Sequence, residues 1–421
     1  MHNFTSFLEF LYIRFKIPLN RITHFLYILN FMMKKHHFKL LFIALSFLVS
    51  CKTEKKENYN YQQKLKKRYS KLLEYNLDSL AFPRSYNPKE KKIKKVPSKD
   101  WTSGFFAGNI WQIYQITGNP KDKELAQKWT AFIEKEKYND KTHDMGFKVY
   151  NSFGQALKHN NNQKYKDIIV KSAQTLSSRF NNTVGSIRSW DFNKDKWNFP
   201  VIIDNMMNLE LLFEASKISN DSTFYKIAVT HANTTLKNHF REDNSCFHVL
   251  DYNPENGAIR MKVTHQGYSN NSSWARGQGW AIYGFTMVYR YTKDKKYLEQ
   301  AKATANFFLN HKNLPEDGIP YWDFDAPNIP NEPRDVSAGA IVASALVELY
   351  EYTKNETYLN YSKKFMNNVQ TEKYILPETL DIPFILDHSS GDWSKRSEMD
   401  APIVYGDYYF LETKLRLKLL K

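Results

Sequence analysis

One carboxylate, Asp204, interrupts an apolar run between Phe199-Pro200-Val201-Ile202-Ile203 and Asn205-Met206-Met207-Asn208-Leu209. Burial penalises an ionised carboxylate and raises its pKa. A carboxyl that titrates near neutrality is what a general acid needs. The plainer reading is an Asp capping a helix, a common place for that residue. A second candidate is Asp144 in Thr142-His143-Asp144-Met145-Gly146-Phe147. Its His-Asp pair precedes a glycine that lets a ligand approach the backbone, although an Asp at a helix start again reads first as a cap. The third segment joins His265-Gln266-Gly267-Tyr268-Ser269 to Ser273-Trp274-Ala275-Arg276-Gly277-Gln278-Gly279-Trp280. Arg276 and Trp280 are four apart and share a face on a helix. Arginine suits a carboxylate through a two-pronged hydrogen bond. Tryptophan suits the flat face of a sugar, and Gly277 and Gly279 clear space beside both.

Such groups need rigid elements to aim them. After Trp101 one pattern recurs: an amphipathic helix, a short polar turn, then a second helix opening with Tyr or Leu. It is visible from Ile113, Leu212, Val288 and Leu349, and more weakly from Phe153. The spacing of about 40 to 75 residues is too irregular for a tight solenoid. Ala340 to Leu349 is apolar on nearly every face and reads as an inner helix, whereas Lys295 to Leu309 carries charge on one side and reads as outer. The alternation predicts an all-α toroid of helical hairpins, with the site in loops at one end. Cys246 to Tyr252 is the one stretch that reads as a short strand.

The 421 residues are 42% hydrophobic, enough for a buried core. The net charge of +16 suggests a nucleic-acid partner until its distribution is read. Residues 1–100 hold 21 Lys and Arg against 7 Asp and Glu, leaving 39 against 37 in residues 101–421. A phosphate-binding groove needs its basic residues on the folded body, so no nucleic-acid partner is expected. Two cysteines, Cys51 and Cys246, imply no disulfide framework, and Cys246 reads as a buried thiol.

The blocks WTSGFFAGNIWQIYQITG from Trp101, THDMGF from Thr142, IIDNMMNLELL from Ile202, THQGYSNNSSWARGQGWAIYGF from Thr264 and VYGDYYFLE from Val404 together resemble family 88 of the glycoside hydrolases, the unsaturated glucuronyl hydrolases. The resemblance runs in matching order from Trp101 to the C-terminus. It implies an (α/α)6 barrel, no metal and no organic cofactor. It also implies removal of an unsaturated uronic acid from lyase-cut glycosaminoglycan or algal oligosaccharides, by hydration of its C4=C5 bond. By the same resemblance Asp204 matches the acid/base and Asp144 an assisting carboxylate. His143, His248, Gln266, Arg276 and Trp280 match substrate-contacting positions, and Trp101 and Trp190 match aromatic positions of the pocket. One alternative is the related family 105, acting on unsaturated galacturonyl-rhamnose ends; the run Arg276 to Trp280 argues for family 88. Another is a non-catalytic, outer-membrane glycan-binding lipoprotein, which would need no acid at an apolar helix start. Ser389 to Lys395 reads as a surface loop, with a sulfate contact as the sharper alternative.

The N-terminal sequence has its own logic. Lys34 and Lys35 precede the apolar run Leu40 to Val49, which ends in Leu48-Val49-Ser50-Cys51. That run is too short to span a bilayer, and with its basic flank it reads as a signal peptide. The ending resembles a bacterial lipobox, with Cys51 as the lipidated residue. The expected organisation is a leader over 1–51 with a plausible start at Met32 or Met33, a polar tether and first helix (Tyr61 to Leu80) over 52–100, and a catalytic domain over 101–421. The expected location is the periplasm or cell surface of a Gram-negative bacterium, membrane-anchored.

Overall fold

Val336–Thr353 is buried at every position from Val336 to Leu349. A helix without a polar stripe must lie among other helices, and its neighbours show which. In the computed structural model, which describes residues 61–420, it packs between Ala275–Thr292 and Val404–Leu419. The contacts continue from Val404–Leu419 to Ser103–Thr117, then to the π-helical segment Gly146–Gly154, to Asn205–Ser219, and back to Ala275–Thr292. Six inner segments therefore close a ring. The helices Pro120–Ala131, Gln163–Ser177, Ser222–Asn238, Lys295–Asn310 and Glu356–Val369 alternate with them along the chain. Their burial is one-sided, as for Lys295–Asn310, where only Tyr297, Ala301, Thr304, Ala305 and Phe308 are buried. The expected (α/α)6 barrel is the observed fold. Among the described residues no helix is long and apolar enough to cross a membrane.

Inner and outer helices alternate in direction, so all six inner segments start at one end of the barrel. Toward the other end, every one of them lines a cavity of about 400 Å³, to which Glu210, Arg290, Glu348, Glu412 and Arg416 contribute. Arg290 binds both carboxylate oxygens of Glu348 at 2.6 Å, and Arg416 reaches Glu348 at 2.9 Å. Burial pushes the Glu348 carboxyl up, but the two guanidinium groups hold it down at about 2. The charge network locks this end and leaves the opposite end for chemistry.

Two features depart from the expected organisation. The chain divides into compact units at Met1–Gln63 and Lys64–Lys421. The larger unit thus takes in most of the stretch expected as tether and first helix. The helix over 61–73 stops before the expected Leu80. A hairpin follows, Phe82–Asn87 paired antiparallel with Lys92–Val96. Pro83 lies within its first strand at a bulge, where a missing N–H is tolerated. Arg68 is fully buried and donates to the carbonyls of Pro377, Leu380, Ile382 and Phe384. One lysine-rich composition thus conceals an arginine that organises a loop from a distant part of the sequence. The second departure is a three-stranded antiparallel sheet, Pro200–Ile202, Val249–Tyr252 and Ile259–Val263 in that order. Only its middle strand was legible beforehand. The leader, Cys51 and residues up to 60 lie outside the described residues.

Arg68→Ala strips donors from several buried carbonyls at once, each worth about 1–3 kcal/mol when left unpaired. Its urea midpoint should fall by the equivalent of at least about 3 kcal/mol. An unchanged midpoint would return residues 64–73 to the role of a tether.

Candidate active site

The short sheet brings the first two site residues together. Ile202 pairs with Val249, and the Ile203 N–H continues the ladder by donating to the His248 carbonyl at 3.1 Å. His248 Nε2 then lies 3.7 Å from Asp204 Oδ2. The His248 Nδ1 accepts from two backbone N–H groups, those of His265 and Gln266, each at 3.1 Å. An atom accepting two hydrogen bonds carries no proton of its own, so the neutral ring holds its proton on Nε2, facing Asp204. Burial first, and then His265 and Arg276, keep the His248 ring far below its ordinary pKa and hence neutral.

Asp204 stands at the N-cap position of Asn205–Ser219 but makes no side-chain cap. Its Oδ2 is buried without a hydrogen-bond partner among the described residues. Asp335 is the informative contrast. It also precedes an apolar inner helix, but its carboxylate accepts from Ala338 N at 3.2 Å and caps the helix. Freed of that duty and buried, the Asp204 carboxyl is pushed up to about 7. Burial is the main cause; Arg276 pulls against it, and the negative charge of Asp144 adds to it. The Trp280 indole lies alongside and also favours the ionised form.

Asp144 arrives through a different device. Gly146 lets its backbone press onto the Asn205–Ser219 helix: a Cβ there would sit 2.7 Å from the Asn208 Cα. The Phe147 N–H seals this approach by donating to Asn208 Oδ1 at 3.0 Å. Asp144 Oδ2 accepts from the Thr142 hydroxyl at 2.6 Å, and Oδ1 lies 3.3 Å from His143 Nε2. His143 is buried, and its backbone N–H is fixed by the Ser189 carbonyl at 3.1 Å. Asp144 keeps partial exposure.

Two expectations need correction. Arg276 was expected to grip a ligand carboxylate with a two-pronged bond. Its fork is already engaged: Asp335 Oδ2 at 3.0 Å, the Gly391 carbonyl at 2.6 Å and the Ser390 carbonyl. The guanidinium also stacks 4.5 Å from the Trp274 ring centre. It fixes the loop around Ser390 and contributes positive potential to Asp204. Trp280 was expected as a sugar platform. It is fully buried, 5.2 Å from Phe147 and 5.5 Å from Tyr409, so no face is open to a ring. The partly exposed Trp101, packed on Tyr405 at 5.0 Å and Phe147 at 5.4 Å, suits that task. Trp190 packs against His265 at 5.4 Å, and Gln266 donates to the Gly391 carbonyl at 3.3 Å. All nine expected site residues thus belong to one contiguous network. Cys246 is buried, and its thiol is pushed up to about 12.

The network adds residues that motif reading left unassigned. Trp274 stacks on His248 at 4.5 Å, Asp335 neutralises Arg276, and the buried Tyr405 hydroxyl has no partner among the described residues. Trp274 and Tyr405 lie within the quoted motifs, whereas Asp335 follows the polar stretch Asn331 to Arg334 and shares only its place before an apolar helix with Asp204. Among the described residues, no group of three or more His, Cys, Asp or Glu side chains is placed to hold a metal ion.

The sequence model of Glycosyl Hydrolase Family 88 matches residues 81–312. The chain belongs to this family. It is 56% identical over 393 residues to an unsaturated glucuronyl hydrolase of Formosa agariphila, covering 91% of this chain and 98% of that protein. It is 33% identical to an unsaturated chondroitin disaccharide hydrolase of Streptococcus agalactiae, over 77% of this chain and 82% of that one. The crystal structure of an unsaturated glucuronyl hydrolase specific for heparin superposes with a TM-score of 0.82 at 39% identity, covering 86% of this chain and 97% of that one.

The unusual state of Asp204 has a stability consequence. Below about pH 4 native and unfolded chains both carry its proton; between about 4 and 7 the native chain binds more, so stability falls as pH rises through that window. Asp204→Asn removes the penalty. Its melting temperature should match wild type near pH 4 and exceed it near pH 8. Equal melting temperatures at both would refute the raised pKa.

Proposed function

We propose that this enzyme releases the 4,5-unsaturated uronic acid from the non-reducing end of lyase-cut oligosaccharides, with Asp204 moving the proton. The observation that carries the reading is a buried, uncapped carboxyl poised at about 7 beside a neutral His248 and a second carboxylate. The substrate double bond is a vinyl ether conjugated to the uronate carboxylate. Protonated Asp204 delivers its proton to C4, and positive charge spreads over C5 and the ring oxygen. Water adds at C5 and returns a proton to the ionised Asp204. The hemiketal opens, C5 becomes a ketone, and the hemiacetal left at C1 expels the aglycone. Because no displacement occurs at the anomeric carbon, carboxylate spacing carries no stereochemical meaning here.

Asp144 helps keep Asp204 protonated and is placed to accept hydrogen bonds from ring hydroxyls. The His248 Nε2–H and the positive potential of Arg276 are preorganised for the carboxylate that Asp204 becomes after giving up its proton. Asp204→Asn should fold normally and lose roughly 10²–10⁴-fold in kcat. The ultraviolet absorbance of the unsaturated uronate should fall with wild type and persist with the variant. For wild type, kcat/KM should drop about tenfold per unit above pH 7, where Asp204 loses its proton. Near-normal turnover by Asp204→Asn would remove it from the acid role.

The relatives' names span chondroitin and heparin substrates, so the polymer is a matter for a panel of sulfated and unsulfated unsaturated disaccharides. The export reading joins this proposal: Leu40 to Val49 and the Leu48 to Cys51 ending support a lipid anchor at Cys51, on the periplasmic or outer face of a Gram-negative membrane. Cys51→Ser should shift the protein from the membrane fraction to the soluble fraction. An unchanged distribution would reject the anchor.

A further inference from the structure

We propose that the loop over residues 188–199 carries a second sugar-binding surface, where Phe192 stacks on, and Lys196 neutralises, the uronate two units downstream of the scissile sugar. The inference rests on the function proposed above. It starts from an exposed ring. Phe192 is 48% exposed, and no other phenylalanine is so exposed among the described residues. A lone surface phenylalanine needs no explanation. This one lies parallel on Trp190, 5.0 Å between centres and 12° between planes. Trp190 is itself buried and braced edge-on by Trp197 at 5.6 Å. The ring is therefore held flat on a rigid base with part of its surface open. Binding a sugar to such a platform orders little that is not already ordered.

The platform connects to the chemistry by direct ring contacts. Trp190 and Phe192 both touch His265, at 5.4 and 6.1 Å. His265 lies 6.3 Å from His248, whose Nε2 faces Asp204. A chain of sugars leaving the acid along this wall meets Phe192 beyond the first aglycone unit.

Charge identifies which sugar. Glycosaminoglycans alternate uronate with a second sugar, so in their lyase fragments the next carboxylate stands two units from the unsaturated end. Within the loop Asp191 pairs with Arg179 and Arg188, both at 2.8 Å, whereas Lys194, Asp195 and Lys196 form no ion pair among the described residues. Lys196 is exposed and pairs with no carboxylate among the described residues; its Nζ sits 4.5 Å over the Trp197 ring. His265 feels the negative charge of Asp392 as well as the positive charges of Lys395 and Lys196. A free cation beside an open aromatic face fits an anionic sugar: the ring takes the apolar face and the ammonium takes the carboxylate.

The test compares unsaturated disaccharide and tetrasaccharide from whichever digest, chondroitin, hyaluronan, heparin or ulvan, wild type turns over fastest. Phe192→Ala and Lys196→Gln should leave disaccharide kcat/KM within about twofold and lower that of the tetrasaccharide roughly 3–10-fold, mainly through KM, the loss of one modest contact. Phe192→Tyr should restore the tetrasaccharide value. Lys196→Gln should also flatten the salt dependence seen with the tetrasaccharide. Unchanged tetrasaccharide kinetics in both variants, or equal losses on both substrates, would overturn the inference while leaving the proposed function standing. A wild type that turns over none of the disaccharides removes both.

Discussion

Asp204 sits where a carboxylate is worst placed to be charged. It is almost fully buried, caps no helix and has a second carboxylate near it. The rest of the structure is arranged around tolerating that group. The sheet ladder through Ile203 fixes its neighbour His248, and two backbone N–H groups fix the tautomer of that ring. Gly146 brings Asp144 close enough to oppose ionisation, while Arg276 limits how far the pKa rises. A group left near 7 by these opposing effects gives and takes a proton at ordinary pH with little thermodynamic cost in either direction.

The buried ion pair of Arg276 with Asp335 serves this arrangement indirectly. Both side chains are essentially inaccessible, and such a pair contributes little net stability. Its value is geometric. Asp335 caps one inner helix, Arg276 belongs to the next, and the two carbonyls that Arg276 holds belong to the loop around Ser390. Three segments far apart in sequence are thereby registered against the pocket. The stretch from Ser389, which reads as a plain surface loop, is part of the site's frame for this reason.

The far end of the barrel carries the complementary burden. All six inner segments line a cavity there, and Arg290 and Arg416 offset the negative charge collected by Glu210, Glu348 and Glu412. With that end held by charge, the loops at the other end can be long and chemically specialised.

Much was legible from the chain alone. The all-round apolar character of Ala340 to Leu349 required an inner helix, and one-sided charge required outer ones, because burial dictates which faces must be apolar. The position of Asp204 in an apolar run announced a carboxyl with a raised pKa. What sequence could not decide was whether an Asp before an apolar helix caps it. Asp335 does and Asp204 does not, although each stands immediately before an inner helix. Nor could it show that Arg276 and Trp280 are already spoken for by Asp335, Phe147 and Tyr409. Local sequence sets what a side chain is able to do. Which partners it meets depends on contacts between segments 59 to 133 residues apart, and only the closed barrel supplies those.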